Sequence, residues 1–82
     1  MSPTVFRERG YRFFFFSREE TRMHLHVQGS GGEAKYWLEP EIQLAKNFGM
    51  KESDLDLVER TIREHEDEIR DAWCRHFHSG SH

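Results

Sequence analysis

Residues 23–38 read Met23-His24-Leu25-His26-Val27-Gln28, Gly29-Ser30-Gly31-Gly32, Glu33-Ala34-Lys35-Tyr36-Trp37-Leu38. Apolar and polar side chains alternate on both sides of a glycine-rich tetrapeptide. Alternation with period two is the mark of a strand with one buried face, and glycines supply the positive φ that a tight reversal needs. The stretch therefore predicts an antiparallel hairpin with Met23, Leu25, Val27, Ala34, Tyr36 and Leu38 on its core side. His24, His26, Gln28, Glu33, Lys35 and Trp37 fall on the other side.

Upstream, Thr4-Val5-Phe6-Arg7 is a short β-prone run closed by a turn through Glu8, Arg9 and Gly10. Tyr11 to Ser17 holds four consecutive phenylalanines, Phe13 to Phe16, and reads as a strand covered on both faces. With Tyr11, Phe13 and Phe15 turned inward, Arg12, Phe14 and Phe16 join the outer side. Downstream, Pro40 suits the first turn of a helix that Glu41 to Asn47 completes, with Gly49 as its C-terminal cap. Ser53 is placed as an N-cap, with Asp54 and Asp56 at the positive end of the helix dipole. Leu55, Val58, Ile62, His65, Ile69, Ala72, Trp73, His76 and Phe77 then recur at three- and four-residue steps, the stripe of one amphipathic helix of about six turns. Trp73, Ile62 and Ile69 are expected to pack on Leu25, Val27 and Tyr36.

The expected fold class is therefore α+β: a four-stranded, mainly antiparallel sheet packed on two C-terminal helices, the last one long. Residues 1–78 form a single domain and residues 79–82 a flexible tail. A chain of 82 residues and 9.9 kDa allows one small core. Its mean hydropathy of −0.89 and 33% charged residues lean towards disorder, but 13% aromatic residues supply the burial to overcome it. One cysteine, Cys74, excludes an internal disulfide framework. No 18-residue apolar run is present, so no membrane span is expected. The opening residues lack an apolar signal core, which leads to a cytoplasmic expectation. Charge is divided: residues 1–38 sum to +2 and residues 39–82 to −5, and eight of the eleven aromatic residues lie in the first part.

Several constellations carry candidate chemistry. His24 and His26 stand on one strand face about 6.5–7 Å apart at Cα, a spacing that one metal ion can bridge with Glu33 as a third donor. The pair alone is an incomplete ligand set, so no cofactor is expected. The same histidines, with Arg12 or Lys35 at a scissile phosphate, would suit general acid–base cleavage of RNA. Phe14, Phe16, His24, His26, Lys35 and Trp37 form the candidate partner-binding face, because an indole turned away from the core has no folding reason to be there. Replacing Trp37 is accordingly expected to cost the monomer little. Trp and basic residues suit a protein interface as well as stacked bases. The mixture of Glu33, Gln28 and histidines favours a protein over nucleic acid.

Other matches fail on spacing. His65-Glu66 lacks the second histidine of a metalloprotease helix, since position 69 is isoleucine. Cys74, His76, His78 and His82 do not share a helix face, and Cys74 has no base–orienter pair nearby in sequence. The Gly29–Gly32 turn has no helix N-terminus to cradle phosphate.

Pro3-Thr4-Val5, Tyr11-Arg12-Phe13-Phe14-Phe15 with Ser17, His24-Leu25-His26-Val27, Gly32-Glu33-Ala34-Lys35-Tyr36-Trp37-Leu38, Leu44-Ala45-Lys46-Asn47-Phe48-Gly49 and Ala72-Trp73 together resemble the small prokaryotic family catalogued as domain of unknown function 4160. The resemblance runs from Pro3 to Phe77. It departs where the family has prolines before its first histidine and this chain has Thr21-Arg22-Met23. It implies no reaction, and it implies one member of a toxin–antitoxin-like gene pair. The expected function is thus an interaction module that binds a small protein partner, or a second copy of itself, through the outer sheet face. The alternatives are an RNA-acting toxin using His24 and His26, or a weak metal-binding protein.

Overall fold

The computed structural model describes residues 4–15 and 22–78. Seven elements follow one another: β1 (Thr4–Glu8), β2 (Tyr11–Phe14), β3 (His24–Gly29), β4 (Gly32–Trp37), β5 (Gln43–Phe48), α1 (Glu52–Glu64) and α2 (Glu66–His78). The sheet order is β1-β2-β3-β4-β5, and each neighbouring pair is antiparallel. Ser30 and Gly31 form the β3–β4 loop with φ of 55° and 78°, the twist-matching reversal that the glycine-rich tetrapeptide predicts. Arg9 and Gly10 repeat it between β1 and β2, with φ of 55° and 86°.

The sheet has five strands rather than the four expected. The segment read as a first helix, Glu41 to Asn47, is the fifth strand. Seven residues make a marginal helix in water. Here the segment gains a backbone ladder on the free edge of β4 instead. Gly49, at φ 88°, serves the turn into α1 rather than a helix C-cap. Asn47 closes that turn: its Nδ2 donates to the Met50 carbonyl and its Oδ1 accepts from the Met50 amide, both at 3.0 Å.

The single long helix is also corrected. It is two helices of equal length that meet at His65, where φ −116° and ψ 21° leave the helical region. The register survives this break: the Ile69 amide still bonds the His65 carbonyl at 2.9 Å. The apolar stripe therefore continues across it. The N-cap moves too. Lys51 precedes the first turn and its amide donates to Asp54 Oδ2 at 3.3 Å, while Ser53 lies inside the helix.

The face assignments hold. Tyr11, Phe13, Phe15, Leu25, Val27, Ala34, Tyr36 and Leu38 are buried in one core with Val58, Ile62, Ile69 and Trp73 from the helices. Leu55 and Ala72 pack at its margin, and the Phe77 side chain lies outside the described part. Trp73 sets its edge against Phe15, ring centres 5.3 Å apart. The two inner-face tyrosines end on α1: Tyr11 Oη donates to Asp54 Oδ1 at 2.7 Å and Tyr36 Oη to the Leu55 carbonyl at 3.3 Å. Arg70 Nη2 donates to the Leu38 carbonyl at 2.8 Å, which fastens α2 to the end of β4.

Candidate functional site

Strand pairing fixes which residues share the sheet face opposite Leu25, Val27 and Tyr36. Arg7, Arg12, Gln28, Glu33 and Phe48 form one row across the sheet, Phe14, His26, Lys35 and Lys46 a second, and His24, Trp37 and Gln43 a third. The expected partner-binding residues Phe14, His24, His26, Lys35 and Trp37 are thus brought together, while Phe16 lies outside the described residues.

Their exposure differs from the expectation. Phe14, His24, His26 and Lys35 are 3%, 0%, 5% and 8% exposed, and Trp37 is half-buried. The face is a packed aromatic and cationic layer. Arg12 lies over the Phe14 ring at 4.3 Å, and Phe14 stacks on His26 at 5.5 Å. Arg22 and Lys35 both lie over the Trp37 ring, at 4.1 and 4.6 Å. His24 touches His26, Trp37 and, from α2, Trp73. Its Nδ1 stands 2.8 Å from the Arg22 carbonyl, an acceptor, so that nitrogen carries the ring proton.

This burial bears on the candidate chemistry. A general acid or base must reach the proton it moves, and neither His24 nor His26 opens to solvent here. Among the described residues, His24, His26 and Glu33 are not a group whose ligand atoms lie within 4.8 Å of one another. Among the described residues, the exposed members of the face are Arg7 on β1, Gln28 on β3 and Gln43, Lys46 and Phe48 on β5. Phe48 is 64% exposed and Leu44, on the other side of β5, 41%. Five of the six β5 residues are exposed, and β5 ends the sheet. Among the described residues the pairing register places four cations, Arg7, Arg12, Lys35 and Lys46, on this face against one carboxylate, Glu33.

A second cluster went unread in the sequence. The Glu8-Arg9 turn and the His65 break meet on the opposite side of the molecule from β5. His65 Nε2 lies 2.8 Å from Glu8 Oε1 and its Nδ1 2.9 Å from Glu68 Oε1. Two carboxylates on two ring nitrogens favour the protonated imidazole, and Glu68 and then Glu8 push its pKa above the ordinary value. Arg9 Nη1 donates to Thr61 Oγ1 at 2.7 Å and Glu64 Oε1 at 2.9 Å, and reaches Glu8 Oε2 at 3.2 Å. Arg9 in turn holds Glu64 below the usual carboxylate range. Glu68 was legible as the i+3 neighbour of His65. Glu8, 57 residues away, was not.

A family model, Domain of unknown function (DUF4160), matches residues 10–74. The chain belongs to that family. The DUF4160 match takes in β2 to β5, all of α1 and the first nine residues of α2, and so contains the outer-face residues from Arg12 to Phe48. It begins after Glu8 and Arg9. No curated protein and no solved structure matches this DUF4160 chain.

Proposed function

We propose that this DUF4160 domain is an interaction module, one member of a small toxin–antitoxin-like protein pair, and that it binds an acidic partner through the outer sheet face beside β5. The observation that carries this reading is Phe48, a large apolar side chain 64% exposed in a row with Arg7, Arg12 and Glu33 and next to Lys46. An exposed apolar anchor beside Lys46, on a sheet face that carries Arg12 and Arg7 on its far strands, is chemistry that suits an acidic surface with one apolar knob. In this reading Phe14, His24 and His26 support the surface from beneath. Trp37, Lys46, Phe48 and the arginines make the contact.

The test is co-purification of this chain with the product of the adjacent gene. Phe48→Ser should leave the melting temperature unchanged, since surface substitutions stay within about 0.5 kcal/mol. It should weaken association by about 30-fold, the effect of losing a central anchor of about 2 kcal/mol. Association at wild-type strength by the Phe48→Ser protein would refute the proposed surface.

A further inference from the structure

We propose that Glu8, Glu64 and His65 bind a divalent transition-metal ion, zinc as the best fit, where the β1–β2 turn meets the α1–α2 break. Their ligand atoms, one nitrogen and two carboxylate oxygens, all lie within 4.8 Å of one another. Imidazole with carboxylates is a donor set that zinc accepts in four-coordinate geometry. Donor atoms about 2.0–2.2 Å from zinc stand about 3.3 Å apart in a tetrahedron. His65 Nε2 and Glu8 Oε1, at 2.8 Å, need to part by only about half an ångström to admit the ion.

The surroundings of His65 also fit. Glu68 Oε1 accepts from Nδ1 at 2.9 Å, which fixes the ring and presents Nε2 to Glu8. A carboxylate behind a ligating imidazole is the usual arrangement at metal centres, where it orients the ring and raises its basicity. Charge balances as well. Glu8, Glu64 and Glu68 against Arg9 and a protonated His65 leave one negative charge. On binding, the Nε2–H bond breaks, the Nε2–metal bond forms and the proton leaves to water, so a divalent ion brings the cluster to neutrality. Arg9 Nη1 stands 3.2 Å from Glu8 Oε2 and 2.9 Å from Glu64 Oε1, which leaves Glu8 Oε1 to His65 and the ion. The side chains of His65, Glu8 and Glu64 are 27%, 32% and 45% exposed, which leaves a path for the ion and room for water as a fourth ligand. The ion would act as a staple between two distant parts of a chain too small for a large core. This site is separate from the sheet face that serves the proposed function.

The experiment uses the full chain stripped of metal with a chelator, then titrated with zinc. One equivalent should bind and raise the melting temperature by about 10 °C at a hundredfold excess over the dissociation constant. His65→Gln should abolish the rise and still donate one hydrogen bond to Glu8. Glu68→Gln should weaken zinc binding by about 10- to 100-fold. The triple substitution His76→Ala, His78→Ala and His82→Ala should leave it intact. If His65→Gln does not fold, Glu64→Gln on the exposed rim decides in the same way. No zinc-dependent rise overturns the proposal. So does a rise that survives His65→Gln or Glu64→Gln but disappears with the tail histidines, an adventitious ion only, or with His26→Ala.

Discussion

At the scale of single residues, His65 sets a pH dependence whose sign is fixed. Its folded pKa lies above the ordinary value because of Glu68 and Glu8, with Glu64 and Arg9 facing the same cluster. The stability it contributes is complete below the unfolded value of about 6.5 and is lost as pH rises through the folded one. In chelator, the melting temperature should fall across that window, and the His65→Gln protein should not show the fall. Trp73, 6% exposed in the core, is the opposite kind of residue. Trp73→Ala should cost about 3–5 kcal/mol in a denaturant melt. Trp37 departs from its sequence reading. Alternation told which way the indole points but not that Arg22, from the loop before β3, would lie on one of its faces and Lys35 within reach. Losing two such contacts gives Trp37→Ser a cost of about 1–2 kcal/mol, where an exposed indole would have cost almost nothing.

At the scale of elements, the hairpin of β3 and β4 was readable because burial on one side imprints period two on the sequence. β5 was not readable for the converse reason. With five of six residues exposed, it carries no periodic imprint, and what makes it a strand is the unpaired edge of β4. The break at His65 was hidden because the apolar stripe passes through it unchanged. The turns give a sharp test of element packing. A Cβ on Gly32 would stand 2.8 Å from the Gly49 carbonyl carbon and from the Met50 amide nitrogen, backbone atoms that have no rotamer to escape by. Gly32→Ala should destabilise by about 1–3 kcal/mol by forcing β4 from the β5–α1 turn. At Gly31 nothing lies within 4 Å, so Gly31→Ala carries only the left-handed backbone cost of about 1–2 kcal/mol.

At the scale of the whole molecule, charge is segregated by layer. The outer sheet face gathers Arg7, Arg12, Lys35 and Lys46, whereas α1 and α2 hold nine acidic residues against four arginines. This division was plain in the sequence as a difference between its two parts. The folded molecule turns it into opposite faces. The proposed association through the sheet face should therefore weaken as ionic strength passes physiological, where the screening length is about 8 Å. Lys46→Glu should slow association with the proposed acidic partner more than it speeds release, measured by surface kinetics. The candidate residues were legible as a face. Their burial was not, since a period-two pattern assigns sides of a sheet and is silent about what lies over each side.

The bonds of Glu8 and Arg9 to His65 and Glu64 span more than fifty residues of chain. On a ribosome, the four hairpins of the meander can zip up as they emerge, each beside its predecessor. The turn that opens the sheet cannot be locked until α1 and the start of α2 have cleared the exit tunnel. The first strand of the sheet to be made is thus among the last parts to be secured.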